Sequence, residues 1–153
     1  MKRSASIYIG EDRIVLEPQD YSPEGSYHPG EPIITLPHSA SVAEILAKLE
    51  VTLASCKQPT LPIDVKAIVR PLLAATGDKT WHAVCRAFAN VDVRETDTEL
   101  VFSPWIPHHG GFSGSGKDWH CDKSRQSDVV AGFRTAAAVA IEAQNLHNPP
   151  PLP

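Results

Sequence analysis

Few of the features that announce a function are present in this 153-residue sequence. Its three cysteines, Cys56, Cys85 and Cys121, are an odd number without a CxxC pair, which speaks against a disulfide framework and for reduced thiols. No stretch approaches the roughly 20 apolar residues that cross a bilayer. Too few apolar residues follow positions 1–5 to form a signal-peptide core, so the expected location is cytoplasmic, with no membrane partner. Basic residues are in deficit: 14 Lys and Arg face 18 Asp and Glu, a net charge of −4, and none lies among residues 14–47. Holding a phosphate backbone requires a basic face, so nucleic acid is not the expected ligand. A basic protein partner fits better, because opposite net charge speeds encounter. The length suits one domain, residues 1–147, followed by a Pro-rich tail, residues 148–153, of extended polyproline character.

What the chain does contain is a pattern stated twice. Ala5-Ser6-Ile7-Tyr8-Ile9 passes through a polar break into Arg13-Ile14-Val15-Leu16-Glu17-Pro18, then a Gly/Pro-rich stretch, then an amphipathic run opening at Ser41. Ala89-Asn90-Val91-Asp92-Val93 passes through another polar break into Glu99-Leu100-Val101-Phe102-Ser103-Pro104, a second Gly/Pro-rich stretch and an amphipathic run opening at Ser127. Pro18 to Ser41 and Pro104 to Ser127 both span 23 positions (41 − 18 and 127 − 104). The implied fold is α+β: a mainly antiparallel sheet of two β-hairpin units with packed helices, in pseudo-duplicated ββ(β)α halves.

Alternation places Ala5, Ile7 and Ile9 on one strand face and Ser4, Ser6 and Tyr8 on the other, the mark of a half-buried strand. Ser41 and Glu44 fit a capping box, and Val42, Ile45, Leu46, Leu49 and Leu53 trace one buried helix face. A helix from Ile63 to Ala75 is expected to kink or divide at Pro71, with Gly77 closing it and Asp78 opening the next. Trp81, Val84, Cys85 and Phe88, at i, i+3, i+4 and i+7, predict a short helix with Trp81 in the core. The last helix is expected to bury Val129, Val130, Phe133, Ala136, Ala137, Ala140 and Ile141, its alanines bringing it close to the sheet. Residues 18–32 and 104–127 read as long exposed loops, the second with a short strand around Trp119-His120-Cys121.

Three constellations resemble chemistry. Gly111-Phe112-Ser113-Gly114-Ser115-Gly116-Lys117 satisfies the G-x-x-x-x-G-K pattern of a phosphate-binding loop, but Asp118 stands where Ser or Thr is required and no helical period follows. His108, His109, His120 and Cys121 are metal-ligand types within one loop, and a small metal-dependent hydrolase using His108, His109 and His120 is the alternative reading. Cys85 and His82 form a formal Cys–His pair, but Cys85 belongs to an apolar helix face where burial would leave its thiol inert. No catalytic set emerges, and the expectation is a non-enzyme without metal or cofactor. Acids and aromatics of the two loops remain: Asp20, Tyr21, Glu24, Tyr27 and Glu31 in the first, and Trp105, His108, His109, Phe112 and Trp119 in the second. Acids beside aromatic anchors suit an interface with a basic partner.

Three further segments carry a resemblance: Arg3-Ser4-Ala5-Ser6-Ile7-Tyr8; Lys79-Thr80-Trp81-His82-Ala83 leading into Asn90-Val91-Asp92-Val93; and Gly110-Gly111-Phe112 before the last helix. Over residues 2–143 the chain resembles the immunity proteins of bacterial contact-dependent growth inhibition systems (CdiI-type). The resemblance implies a small cytosolic α/β protein that forms a one-to-one complex with the toxic C-terminal domain of its cognate effector, commonly a nuclease, and blocks it. It transfers no catalytic residues. On this reading the ten loop residues just named are the candidate toxin contacts.

Overall fold

The computed structural model describes residues 2–22, 27–57 and 64–148. Residues 149–153 of the expected polyproline tail lie outside them. The elements run in order β1 (Arg3–Ile9), β2 (Arg13–Tyr21), β3 (Tyr27–Pro29), β4 (Ile34–Pro37), α1 (Val42–Ala54), α2 (Val65–Thr76), α3 (Trp81–Ala87), β5 (Ala89–Glu95), β6 (Glu99–His108), β7 (Gly111–Gly114), β8 (Trp119–Asp122) and α4 (Gln126–His147). One antiparallel sheet has the order β3-β2-β1-β5-β6-β7, with β4 also pairing β2 and β8 also pairing β6. The two halves are therefore the same unit: a hairpin whose second strand pairs with two short strands, followed by a helix.

Register makes the duplication quantitative. Ile7 pairs Leu16 in the first half and Val93 pairs Phe102 in the second, an offset of 86 residues on both strands (93 − 7 and 102 − 16). The central β1–β5 pairing exchanges with itself under that offset: Ile7↔Val91 maps onto Val93↔Ala5. The pseudo-two-fold axis thus passes through the one pair that maps onto itself, Ser6↔Asp92.

Each hairpin is longer than its sequence indicated, and strand runs through much of the described part of the Gly/Pro-rich stretches. β2 continues past Pro18 to Tyr21, and β6 continues past Pro104 to His108. A proline cannot donate to a ladder, so it breaks a strand only where a neighbour needs its N–H. Pro18 lies between the β4-paired segment Arg13–Leu16 and the β3-paired segment Gln19–Tyr21. Pro104 lies likewise between the β8-paired residues 99–102 and the β7-paired residues 105–108. Both prolines occupy the seam where one short strand gives way to the next.

Both duplicated helices pack on one sheet face. Ser41 caps α1 by accepting from the Glu44 amide at 3.1 Å, as the capping box requires, and Ile45, Leu46, Leu49 and Leu53 are buried. They meet Ala5, Ile7, Leu16, Val91, Val93 and Phe102 from the sheet and Phe133, Ala136 and Ala140 from α4. Helix α4 does lie close to the sheet: Ala136 and Ala140 are fully buried, and Gly132 sits so near Cys121 Sγ that no Cβ would fit there. Ala136→Leu is expected to overpack this contact and cost about 1–3 kcal/mol, read as a lowered urea midpoint. The apolar stripe turns out to end at Ala140. Ile141 is 39% exposed, and Gln144 is buried instead, donating to the Cys85 and Arg86 carbonyls.

The opposite sheet face is covered at one end by further helices, and Ser4, Ser6 and Tyr8 are all buried, which corrects the half-buried reading of β1. Tyr8 and Val15 pack against Leu72 of α2 and Val84 and Phe88 at α3. Helix α2 stays a single helix through Pro71 and ends at Gly77 in the left-handed conformation (φ 77°). Thr80, not Asp78, opens α3, its Oγ1 accepting from the Ala83 amide at 3.1 Å. Trp81 is the first residue of α3 and is 39% exposed, contrary to its expected core position. At that first turn its ring leaves the core and stands edge-on to Tyr8 and Phe112, centroids 6.3 and 6.0 Å away. Among the described residues no helix is long and apolar enough to cross a membrane.

Candidate functional site

The residues facing away from α1 and α4 create the most unusual feature of the molecule. Ser6 lies opposite Glu17 on one side and Asp92 on the other, and Asp92 lies opposite Ser103. Glu17, Ser6, Asp92 and Ser103 thus form one polar row across four strands, centred on the pseudo-two-fold axis. Apolar α2 and α3 cover only the end of this face near Tyr8 and Val15. Over the polar row an opening of about 1000 Å³ remains, walled by Trp81, Trp105, Phe112 and Leu72. A volume of that size, mostly apolar with a few convergent polar groups, has the character of a ligand site.

Glu17 is the chemical oddity of its floor. The residue is fully buried. Its Oε1 accepts from Gln19 Nε2 at 2.6 Å and from the Tyr8 hydroxyl at 3.3 Å, while Oε2 has no hydrogen-bond partner. Burial pushes its carboxyl up to about 8, outweighing both hydrogen bonds. Burial also pushes Asp92 up to about 6, against the pull of Arg94. Asp92 accepts from Ser4 Oγ at 3.5 Å, and at the rim Asp118 accepts from Ser103 Oγ at 2.5 Å and meets Arg94 at 3.4 Å. In the sequence Glu17 only closes the run Arg13-Ile14-Val15-Leu16-Glu17 before Pro18, with nothing to mark it as buried. Its burial required knowing that β2 continues beyond it.

The structure divides the candidate contacts. Trp105 and Phe112 line the cavity, half-buried. Trp119 does not join them: it faces the other side of the sheet, against the main core. Asp20 is not a displayed acid. It is buried beneath Gly30, where a Cβ would fall 2.7 Å from its carboxyl, and accepts from the Lys57 amide at 3.0 Å. Tyr21 is half-buried, with the Lys2 ammonium 5.9 Å from its ring centroid, and lies opposite Tyr27 in the β2–β3 pair. Glu31 is exposed, and Glu24 lies outside the described residues.

The histidines do not assemble. His108 and His109 meet edge-on at the exposed β6–β7 turn, ring centroids 4.1 Å apart, and His109 adopts a positive φ of 45°. His120 lies opposite Val101 at the other end of β6, its Nδ1 3.2 Å from the Glu99 carboxylate. Seven residues of strand (108 − 101) separate the two ends, roughly 23 Å at a rise of ~3.3 Å, so these side chains cannot share a metal. The hydrolase reading loses its site. The glycine-rich motif is likewise a strand and turn: β7 occupies its first half, Gly116 turns at φ 77°, and β8 rather than a helix follows. The Cys85 thiol is buried and pushed up to about 12.

A second concavity, of about 1080 Å³, lies on the helical side between α1 and the β5–β6 turn. Leu46, Leu53 and Val129 contribute apolar surface, and Glu50, Glu95, Asp97, Glu99 and Asp122 surround them, with Lys123 the one base among the described lining residues. Lys123 and Arg3 engage Glu95 at 3.6 and 3.5 Å. These acids come from three separate stretches of chain, so no local run of sequence marked them.

No protein-family model matches this sequence, and no curated protein is similar to it. Solved structures do share the fold. One is a protein of unknown function from Neisseria meningitidis, with a TM-score of 0.73 and 16% identity, covering 92% of this chain and 96% of that one. Another belongs to the CdiA-CT/CdiI toxin and immunity complex from Yersinia pseudotuberculosis, with a TM-score of 0.68 and 14% identity, covering 92% of this chain and 97% of that one. Identity this low carries the fold alone.

Proposed function

We propose that this protein is an immunity protein, binding the toxic C-terminal domain of a contact-dependent growth inhibition effector in a one-to-one complex and neutralising it. The observation that carries the reading is the end-to-end likeness to a chain of the Yersinia toxin and immunity complex. Two features agree with it: the net charge of −4, and the acids gathered around the groove beside α1. A nuclease toxin holds phosphate with Lys and Arg, and an acidic groove with apolar surface can engage such a face. Inhibition is then by occlusion, with the cytoplasm as the place of action.

The test starts at the gene immediately upstream, which should encode a large secreted effector, and expresses its C-terminal domain with and without this protein. Growth should be restored only by co-expression, and the purified pair should run at the mass of one copy of each. Reversing the exposed Glu50 and Asp97 to Lys should slow association about tenfold at low salt and far less at high salt. A toxin that still kills and forms no complex dismisses the reading. Rescue with indifference to the two reversals moves the contact surface off the groove.

A further inference from the structure

We propose that the cavity on the opposite sheet face binds a guanidinium or alkylammonium group carried on a narrow apolar stem, seated over Ser6 between Glu17 and Asp92. The cavity lies on the sheet face opposite α1 and the acidic groove, and its ligand is measured on the protein alone. The inference therefore stands or falls separately from the toxin reading.

Three observations converge on this ligand chemistry. The first is the unpartnered Glu17 Oε2, held on a fully buried side chain that lines the cavity. Such an atom costs free energy unless a donor reaches it. The second is spacing. Glu17 and Asp92 flank Ser6 on neighbouring strands, so their Cα atoms lie about 10 Å apart at ~4.8 Å per strand, with only a short hydroxymethyl between. A planar donor group fits over Ser6 and faces both carboxyls. The third is the wall: Trp81, Trp105 and Phe112 line the same opening. Aromatic rings favour a cation over a neutral donor, and guanidinium and ammonium are donors without acceptors. Ser6 Oγ already accepts from Gln19 Nε2 at 3.4 Å, so the free capacity of this floor is on the acceptor side of the two carboxyls, above all at Glu17 Oε2.

Charge agrees. Asp118 is already engaged by Arg94 and Ser103 at the rim, which leaves Glu17 and Asp92 as the acids without a full cationic partner. Burial makes both reluctant to ionise. A bound cation offsets that reluctance, so the site is arranged for a charge it does not itself supply.

The group may arrive on a free small molecule or on an arginine or lysine side chain, and the experiment separates the two. Purified protein is titrated with butylguanidinium and with its neutral isostere butylurea, following tryptophan emission and heat. In parallel it is titrated with a short peptide bearing one central arginine and with the citrulline version. Saturable binding of butylguanidinium, at least tenfold tighter than butylurea and weakened at least tenfold by Glu17→Gln or Asp92→Asn, supports a free cation. Binding of the arginine peptide alone, with the same sensitivity to both variants, supports a side chain. Asp92→Asn, on a less buried residue, serves if Glu17→Gln fails to fold. No binding by either cation, equal binding of the urea, or indifference to both substitutions overturns the proposal.

Discussion

Glu17→Gln is expected to make the protein more stable, by about 4 kcal/mol at pH 8 and by almost nothing at pH 4. The direction follows from linkage. A carboxyl that titrates near 4.5 in the unfolded chain and near 8 in the folded one binds its proton more tightly when folded. Its contribution is intact below about pH 4.5 and is lost progressively as pH rises to about 8, at about 1.4 kcal/mol per pH unit. Asp92 acts in the same sense over a narrower window, from about 4 to about 6. Asp12 and Asp122 are exposed and held below the usual carboxylate range by Arg13 and by Ser124 respectively, so they act in the opposite sense and only in acid. Glutamine keeps the shape of the protonated carboxyl and can accept from Gln19 and Tyr8, but it never has to ionise. Urea midpoints of the two proteins across pH 4–9 should converge in acid and diverge in base. Parallel curves would mean that Glu17 ionises freely in the folded protein, and the account of its burial would fail. A residue that costs stability at neutral pH is also what a binding site retains for its ligand.

Phe102→Ala is expected to cost about 3–5 kcal/mol, a large fraction of what holds a domain of this size together. Phe102 is wholly buried and pairs with Val93 of β5 on one side and Trp119 of β8 on the other. Its ring stands edge-on to Phe133 of α4, centroids 5.8 Å apart. It therefore joins strand, short strand and helix of the second half at one point, as Leu16 joins β1, β4 and the core in the first. Leu16→Ala should lose about 2–5 kcal/mol for the same reason. Trp81→Ala should fall well below Phe102→Ala, since Trp81 is 39% exposed and lies against Tyr8 and Phe112 rather than within the core. Denaturant midpoints for the three variants check the ranking. Trp81→Ala matching Phe102→Ala would return Trp81 to the core.

Much of the fold was legible in the chain because its signals are local. Period two in Ala5, Ile7 and Ile9 marked the face that meets the helices, and Ser41 with Glu44 marked where α1 begins. The repeated 23-residue spacing revealed two copies of one unit, and the alanines of α4 revealed how near it lies to the sheet. The inertness of Cys85 followed from its place on an apolar stripe. Each of these depends on residues within a few turns or strand positions of one another, and a sequence lists those side by side.

The functional surfaces were decided elsewhere. Pro18 and Pro104 looked like strand ends because a lone strand offers no reason to tolerate them. Only the seam between two short neighbouring strands, where no partner needs the N–H that proline lacks, lets β2 and β6 continue. That continuation turned Asp20 from a displayed loop acid, and Glu17 from a strand-end residue, into buried groups with different partners, and carried Trp105 to the cavity wall. It also set His108 at one end of β6 and His120, on β8, beside the other. The row of Glu17, Ser6, Asp92 and Ser103 joins positions up to 97 residues apart (103 − 6). Only pairing between strands brings such residues together, and carboxyls come to lie in an aromatic cavity when the sheet, rather than the chain, chooses their neighbours.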